Sequence, residues 1–225
     1  MVIRVTQYGS LRCVVSAPEA PPSKAELWPI LCFLHGRDEA APLDLQVALT
    51  RHGPLGHTSA EEAHNNFVVV APQLPAPGGN VWRSHIHDVQ AIVLAVAREY
   101  RVDRARLYLT GFSYGGNGVL DLALLMPSMW AALWAVDPPG VPQINPNCPI
   151  WLSAGPYART HKDLFARVLG VPEVRDETAG DYVYHDARLG HVETARQAYG
   201  DGAIYRWLLA RRTRVGSLAA NCGTT

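Results

Sequence analysis

The stretch that decides the fold is Arg106-Leu-Tyr-Leu-Thr-Gly-Phe-Ser-Tyr-Gly-Gly-Asn-Gly118. Its first five residues form the dense apolar run of a buried strand, and Tyr114–Leu125 is apolar on most sides, as a helix packed on a sheet is. Between them lies Gly111-Phe-Ser-Tyr-Gly115, a G-x-S-x-G pattern. Glycines two residues before and after a serine leave room for a strand and a helix that cross closely. The stretch therefore predicts a sharp strand-to-helix turn with Ser113 at its tip.

Short apolar strands alternate with longer helical patterns on both sides of this turn. The predicted strands are Val2–Tyr8, Leu11–Ala17, Pro29–Leu34, Phe67–Ala71, Arg106–Thr110, Ala131–Val136, Pro149–Ala154 and Tyr182–His185. The predicted helices are His87–Tyr100, Tyr114–Leu125, Lys162–Leu169 and Gly202–Arg211. The first two strands are joined by Gly9-Ser10 and predict a hairpin at the sheet edge. The alternation predicts an α/β fold with a mainly parallel, eight-stranded sheet flanked by helices.

Composition narrows the class of protein. The 225 residues carry 20 basic and 20 acidic side chains, and this balance gives no basic face for a nucleic acid or an anionic membrane. No apolar run reaches the roughly 18 residues that a membrane-spanning helix needs. No secretory signal is evident, and the four cysteines are spaced for free thiols, so we expect a cytoplasmic protein. We expect one domain over residues 1–212 and a loose tail over 213–225.

The turn at Ser113 suits a nucleophile. A serine at the start of a helix has the N–H of the next residue, Tyr114, and the positive end of the helix dipole beside it, where a negative oxygen can be stabilised. The strand Pro29–Leu34 ends in His35-Gly36-Arg37. A turn there would bring the N–H of Arg37 towards the serine and complete a two-donor oxyanion hole, with His35 as a buried structural residue.

Four segments together resemble the α/β-hydrolase family. They are Leu34-His-Gly-Arg-Asp-Glu39, Thr50-Arg-His-Gly-Pro-Leu55, Phe67-Val-Val-Val-Ala-Pro-Gln73 and Asp103-Arg-Ala-Arg-Leu-Tyr-Leu-Thr-Gly-Phe-Ser113. The resemblance runs from about Pro29 to Arg211 and is to the small esterase branch, which includes carboxylesterases and proteins similar to polyhydroxyalkanoate depolymerases and feruloyl esterases. It implies a serine hydrolase whose catalytic histidine follows the last strand. Gly190-His191 occupies that position, whereas His185, at the end of the strand itself, is expected to be structural.

The acid of the predicted triad has more than one candidate, because the position after the seventh strand that the resemblance implies for it holds Ala158 or a neighbour. Asp137 directly follows the sixth strand, and adjacent strands lie only about 5 Å apart, so its carboxylate could reach the imidazole of His191. Asp163 is the second candidate. Asp186, Asp181 or the absence of any acid remain as further alternatives.

The pocket is expected to be open, because the segment from Asp137 to Cys148 is too short for a helical lid. Trp82, Tyr157 and Gly36 are predicted to contact substrate, and Trp130, Trp134 and Trp151 to lie in the core. His85-Ile-His87-Asp88 lacks the spacing of a metal site, so neither a metal nor another cofactor is predicted.

These features predict a serine hydrolase that cleaves a carboxylic ester, either a short-acyl ester or a polar or aromatic one, through an acyl-enzyme. Thioesters, lactones, peptides, or acyl transfer and cyclisation are alternatives for the same machinery. A non-catalytic binding protein with a degraded triad is the alternative of another class. The sequence does not indicate an oligomeric state.

Overall fold

The computed structural model describes residues 2–19, 27–78, 81–171 and 180–213. Within these ranges, eight strands form one sheet in the order β1-β2-β4-β3-β5-β6-β7-β8. The strands are β1 Val2–Tyr8, β2 Leu11–Ala17, β3 Trp28–Leu34, β4 Val68–Gln73, β5 Val102–Phe112, β6 Ala132–Val136, β7 Ile150–Ala154 and β8 Tyr182–Asp186. β2 is antiparallel to both β1 and β4, and all other pairs are parallel. The predicted fold class and edge hairpin are confirmed.

The helices in the described ranges are α1 Leu45–Arg51, α2 Glu61–Asn66, α3 Ile86–Glu99, α4 Tyr114–Leu125, α5 Pro156–Thr160, α6 Lys162–Leu169, α7 His191–Gly200 and α8 Gly202–Leu209. The four predicted helices correspond to α3, α4, α6 and α8. The helices α1, α2, α5 and α7 were not predicted, because none of them carries a long stripe of large apolar residues. At α1, the carboxylate of Asp44 accepts hydrogen bonds from the N–H groups of Gln46 (3.0 Å) and Val47 (3.1 Å).

Helices cover both faces of the sheet, which explains the continuous apolar runs of its central strands. In β3, Ile30, Cys32 and Leu34 pack with the apolar residues of α3, α4 and α6. Leu31 and Phe33 point to the opposite face and pack with those of α1, α2, α7 and α8. The predicted core tryptophans are buried, Trp130 on the first face and Trp134 and Trp151 on the second.

The largest difference from the predicted strands is at β5, which begins at Val102 rather than at Arg106. The early part of this strand is polar and half-exposed, so it lacks the apolar pattern that identified the rest. Val102 pairs with Trp28 across an irregularity in the β3–β5 register. Pairing between strands, rather than the local sequence, therefore extends β5.

Several further expectations concern the chain as a whole. The connection from β6 to β7, residues 137–149, contains neither helix nor strand, in agreement with the expected absence of a lid. Cys13, Cys32 and Cys148 are buried free thiols, and Cys222 lies outside the described residues. Of the predicted tail, Thr213 bonds to the carbonyl of Ala105 (2.9 Å), and residues 214–225 lie outside the described ranges. No helix in the described parts of the chain has the length and apolarity needed to cross a bilayer.

The parallel register brings the carboxyl ends of five strands to one edge of the sheet. Leu34 of β3 pairs with Gly111 of β5, and Phe112 pairs with Val136 of β6. Val136 in turn pairs with Ser153 of β7, and Ala154 pairs with Asp186 of β8. Segments that follow these strands are thus collected at the edge where open α/β sheets bind their ligands.

Candidate active site

Ser113 sits on the predicted strand-to-helix turn, between β5 and α4. Its backbone has φ 57° and ψ −121°, a region that side-chain-bearing residues rarely adopt. The N–H of Ser113 donates to the carbonyl of Val136 (2.9 Å), which ties the turn to the end of β6. The flanking glycines are required by space, because a Cβ on Gly115 would overlap the carbonyl of Leu34. The surrounding structure therefore holds Ser113 in a strained conformation, as residues at functional sites often are.

Asp137 and His191 form a hydrogen-bonded pair at the same edge of the sheet. Asp137 Oδ2 lies 2.6 Å from His191 Nδ1, and the carboxylate is fully buried. Its other oxygen, Oδ1, accepts from the N–H groups of Gly155 (3.0 Å) and Ala158 (2.8 Å). A carboxylate held in this way fixes the orientation of an imidazole and stabilises its protonated form.

The residues that hold Asp137 were not identified from the sequence. Gly155 and Ala158 donate through their backbone, so no side chain marks their function. A Cβ on Gly155 would lie 2.5 Å from Asp137 Oδ2 and 2.8 Å from Thr194 Oγ1, which excludes a larger residue. Thr194 is buried and its hydroxyl donates to the carbonyl of Gly190 (2.7 Å), just before His191. The Gly155-Pro156 start of a helix directly after β7 is the one local signal for this arrangement.

The other candidate acids have different surroundings. Asp163 is exposed in the first turn of α6. Asp186 forms two 2.7 Å bonds with the guanidinium of Arg159, which keep the pKa of this carboxyl below its usual value. Asp181 is 56% exposed and faces Arg211. Of the four acids considered from the sequence, Asp137 is the one bonded to His191.

Aromatic contacts connect His191 with the turn that carries Ser113. The ring of Phe112, the residue before Ser113, packs against the His191 ring with centroids 4.5 Å apart. Tyr157 contacts His191 edge-on at 4.7 Å and is 51% exposed, so one face of the site is open to solvent. His52 contacts the Phe112 ring at 5.2 Å. Phe112 was not singled out in the sequence, yet it bridges the two candidate catalytic residues.

The loop after β3 passes directly beside Ser113. A Cβ placed on Gly36 would lie 3.4 Å from Ser113 Cβ, so a side chain here would crowd the serine. Arg37 then begins a short 3₁₀ turn, Arg37–Glu39. Tyr114 is the first residue of α4. N–H groups in the first turn of a helix have no partner within that helix, which is the basis for the prediction that the amides of Arg37 and Tyr114 bind a ligand oxygen.

His35 supports this loop from within the core. Its Nε2 accepts from the N–H of Leu74 (2.9 Å), so its Nδ1 carries the hydrogen bonded to the carbonyl of Gly36 (2.6 Å). Burial lowers the pKa of His35 to about 4, which keeps the imidazole neutral. The expectation that His35 is structural agrees with this bonding.

The structure corrects the expectation that Trp82 contacts substrate. Its side chain is fully buried, and its Nε1–H donates to the carbonyl of His35 (3.1 Å). The ring packs against Gly118 of α4, where an added Cβ would come within 2.8 Å of it. Trp82 therefore supports the loop between β3 and Arg37 from the core side. The sequence predicted a pocket-lining residue here, because Pro/Gly-rich neighbours give no indication of full burial.

Comparison with known proteins gives matches to structures alone. No protein-family model and no curated protein sequence matches the chain. A thermostable esterase superposes with a TM-score of 0.67 at 17% identity, over 94% of this chain and 63% of its own. This chain thus spans less than two thirds of that esterase.

Two structures from Staphylococcus aureus match over more of their own length. An S-formylglutathione hydrolase has a TM-score of 0.62 at 16% identity, over 92% of this chain and 96% of that chain. A fluorophosphonate-binding serine hydrolase, with substrate bound, has a TM-score of 0.58 at 14% identity over the same shares. Together with the strand order and the turn at Ser113, these similarities show that the chain has the α/β-hydrolase fold.

Proposed function

We propose that this protein is a serine hydrolase that cleaves a carboxylic ester through an acyl-enzyme. The observation that carries the proposal is the 2.6 Å bond between His191 Nδ1 and Asp137 Oδ2, in a carboxylate whose other oxygen accepts from two backbone N–H groups. A degraded triad would lack this acid, so the bond also argues against a non-catalytic binding protein.

In the proposed mechanism Ser113 is the nucleophile and His191 the base. With its Nδ1–H donating to Asp137, the neutral imidazole of His191 has no hydrogen on Nε2, and this atom can accept the proton of the serine hydroxyl. The Ser113 oxygen then attacks the ester carbonyl carbon. The N–H groups of Tyr114 and Arg37 stabilise the oxyanion of the tetrahedral intermediate.

Collapse of this intermediate breaks the bond to the alcohol, which leaves with the proton held by His191. A water molecule then gives a proton to His191 and attacks the acyl group on Ser113. The second tetrahedral intermediate releases the acid, and the proton returns to the serine oxygen. No step of this proposed mechanism requires a metal or another cofactor.

The open surroundings favour a short or polar acyl group. His191 is 26% exposed, and the neighbouring Tyr157 ring is half-exposed. The helix-free connection between β6 and β7 provides no cover under which a long apolar chain could be buried. Each further methylene of the acyl chain would contribute about 0.8 kcal/mol to binding, but only where the protein provides an apolar surface that buries it. We therefore propose a small ester as substrate.

Labelling with a fluorophosphonate probe tests the nucleophile. We expect the wild type to be labelled on Ser113, and Ser113→Ala to remain unlabelled. Ser128→Ala is the matched control, because Ser128 is exposed just beyond the opposite end of α4. A wild type that is not labelled, or labelling that persists in Ser113→Ala, would contradict the proposal.

Turnover of p-nitrophenyl esters tests the substrate class. We expect the acetate and butyrate to be hydrolysed with a higher kcat/KM than the octanoate. A preference that rises steadily with chain length would contradict the proposed open site.

A further inference from the structure

A second carboxylate is buried next to the candidate oxyanion loop. Glu39 ends the 3₁₀ turn that follows Gly36, and it is only 4% exposed. Charged side chains are rarely buried to this extent unless partners hold them. The proposed mechanism assigns no function to Glu39.

The Glu39 side chain folds back onto the backbone of Gly36. A Cβ on Gly36 would lie 2.9 Å from Glu39 Oε2 and 3.4 Å from Ser113 Cβ. The carboxylate and the serine therefore both lie next to the position that a side chain on Gly36 would occupy. Glycine alone would leave the adjacent peptide groups free to rotate, because it has no Cβ to restrict them. The peptide that follows it contains the N–H of Arg37.

Several titratable and charged groups surround the Glu39 carboxylate. His52 directly follows α1, and its Nε2 lies 3.6 Å from Glu39 Oε1. Burial raises the pKa of Glu39, and Asp38 acts in the same direction, whereas the charge of Arg51 and the backbone amides of Gly36 and Glu39 favour the carboxylate. These amides belong to the loop itself. The Glu39 carboxylate therefore faces the backbone of the loop whose conformation it would hold.

The backbone of Glu39 is fixed independently of its side chain. The buried Gln73, at the end of β4, donates from Nε2 to the carbonyls of Glu39 (3.0 Å) and Leu43 (3.0 Å). On the other side, His52 contacts Phe112, whose ring packs on His191. The backbone of Glu39 is therefore anchored to the sheet through Gln73. Its carboxylate faces His52, which contacts the aromatic ring next to the candidate base.

We propose that Glu39 is a positioning residue for the oxyanion hole, and this role rests on the proposed serine hydrolase function. Its carboxylate binds the backbone at Gly36 and keeps the following peptide turned so that the N–H of Arg37 faces the oxygen that develops on the substrate. Glu39 itself does not touch the substrate. Its contribution appears in the transition state, where the oxyanion forms, and not in binding of the ester.

The test compares Glu39→Ala, Glu39→Gln and the control Asp38→Ala on one p-nitrophenyl ester. Asp38 is exposed in the same turn, so its removal changes a nearby charge without touching Gly36. We expect Glu39→Ala to lower kcat about 100-fold, near the loss found when one oxyanion donor is removed, with KM changed less than about threefold. Glu39→Gln keeps an acceptor oxygen and is expected to recover most of the loss, and Asp38→Ala to behave as wild type.

A trifluoromethyl ketone supplies a readout that a purely structural role would not change. Such a ketone forms a tetrahedral oxyanion with the serine, so its affinity should fall in Glu39→Ala by the same factor as kcat/KM. If Glu39→Ala does not fold, Glu39→Asp replaces it, because the carboxylate withdrawn by one methylene should no longer reach Gly36. Its kcat and ketone affinity are expected to fall in the same way.

Three possible results separate the two proposals. A wild type that hydrolyses esters and binds the ketone, with variants at Glu39 that do both equally well, would overturn only the role of Glu39. A lower melting temperature in these variants with unchanged kcat and ketone affinity would overturn it as well. A wild type that neither hydrolyses an ester nor binds the ketone would refute the proposed function, and the positioning role with it.

Discussion

Replacement of Asp137 by asparagine should remove catalysis while leaving the fold intact. The side chain is fully buried, and asparagine has nearly its shape. Two backbone N–H groups, those of Gly155 and Ala158, point at the Oδ1 position. The asparagine must therefore place its carbonyl oxygen there, because the opposite orientation would set its NH₂ against two donors at a cost of about 1–3 kcal/mol for each donor left unpaired.

This orientation directs the new NH₂ group at Nδ1 of His191, which must then act as the acceptor. The imidazole proton moves to Nε2, the atom that has to receive the proton of Ser113. A base held in the wrong tautomer should lower kcat by about 10⁴-fold, equivalent to about 5 kcal/mol of transition-state stabilisation. KM should change little, because Asp137 is buried and cannot contact the ester.

The assay is steady-state hydrolysis of p-nitrophenyl acetate, with a thermal melt of each variant. Asp163→Asn is the matched control, since it makes the same chemical change at an exposed acid that the sequence also offered as a candidate. We expect the control to keep its kcat within about twofold, as exposed substitutions away from a site usually do. A kcat above about one tenth of wild type in Asp137→Asn would refute the reasoning.

Two further predictions concern His35 and Tyr157. The folded pKa of His35 is about 4 against a usual 6.5, so the unfolded chain binds the proton more readily, and stability should fall by up to about 3 kcal/mol as pH drops from 6.5 to 4. Melting temperatures of the wild type and His35→Gln should therefore converge at low pH, and parallel curves would contradict this. Tyr157→Ala should raise KM for aryl esters about three- to tenfold, as loss of one aromatic contact would, and leave the melting temperature nearly unchanged, because Tyr157 is half-exposed. Equal KM values in steady-state assays would remove Tyr157 from the substrate site.

Local patterns predicted much of the fold because each acts over a few residues. The limits of α4 and α6 agree with the predicted ones, since an apolar or amphipathic stripe runs along each helix. The G-x-S-x-G pattern predicted the turn at Ser113 for a steric reason that the structure makes explicit at Gly115 and Leu34. The chain order of the pairing was not predictable: β3 lies between β4 and β5, and no local pattern specifies which strands become neighbours.

Burial was the second quantity that local patterns predicted poorly. Trp82 begins a 3₁₀ turn, Trp82–His85, after a stretch of small residues in the sequence, yet it is fully buried under the chain that follows β3. Glu39 has the type and setting of a solvated loop charge, and it too is buried. In both cases a distant element covers the side chain, α4 for Trp82 and the loop after α1 for Glu39.

By itself, the sequence determined where the serine and the histidine stand in the chain, because a tight turn and a Gly-His pair are written in adjacent residues. Only the tertiary structure decided which acid accompanies them. Asp137 and His191 are 54 residues apart, and the alignment of β6 with β7 and of β7 with β8 brings the segments that carry them together. Backbone amides beyond β7 then hold the carboxylate in place, and such amides carry no side-chain signature. Hydrogen bonds made by the main chain depend on where segments meet in space, and that is information a linear pattern does not contain.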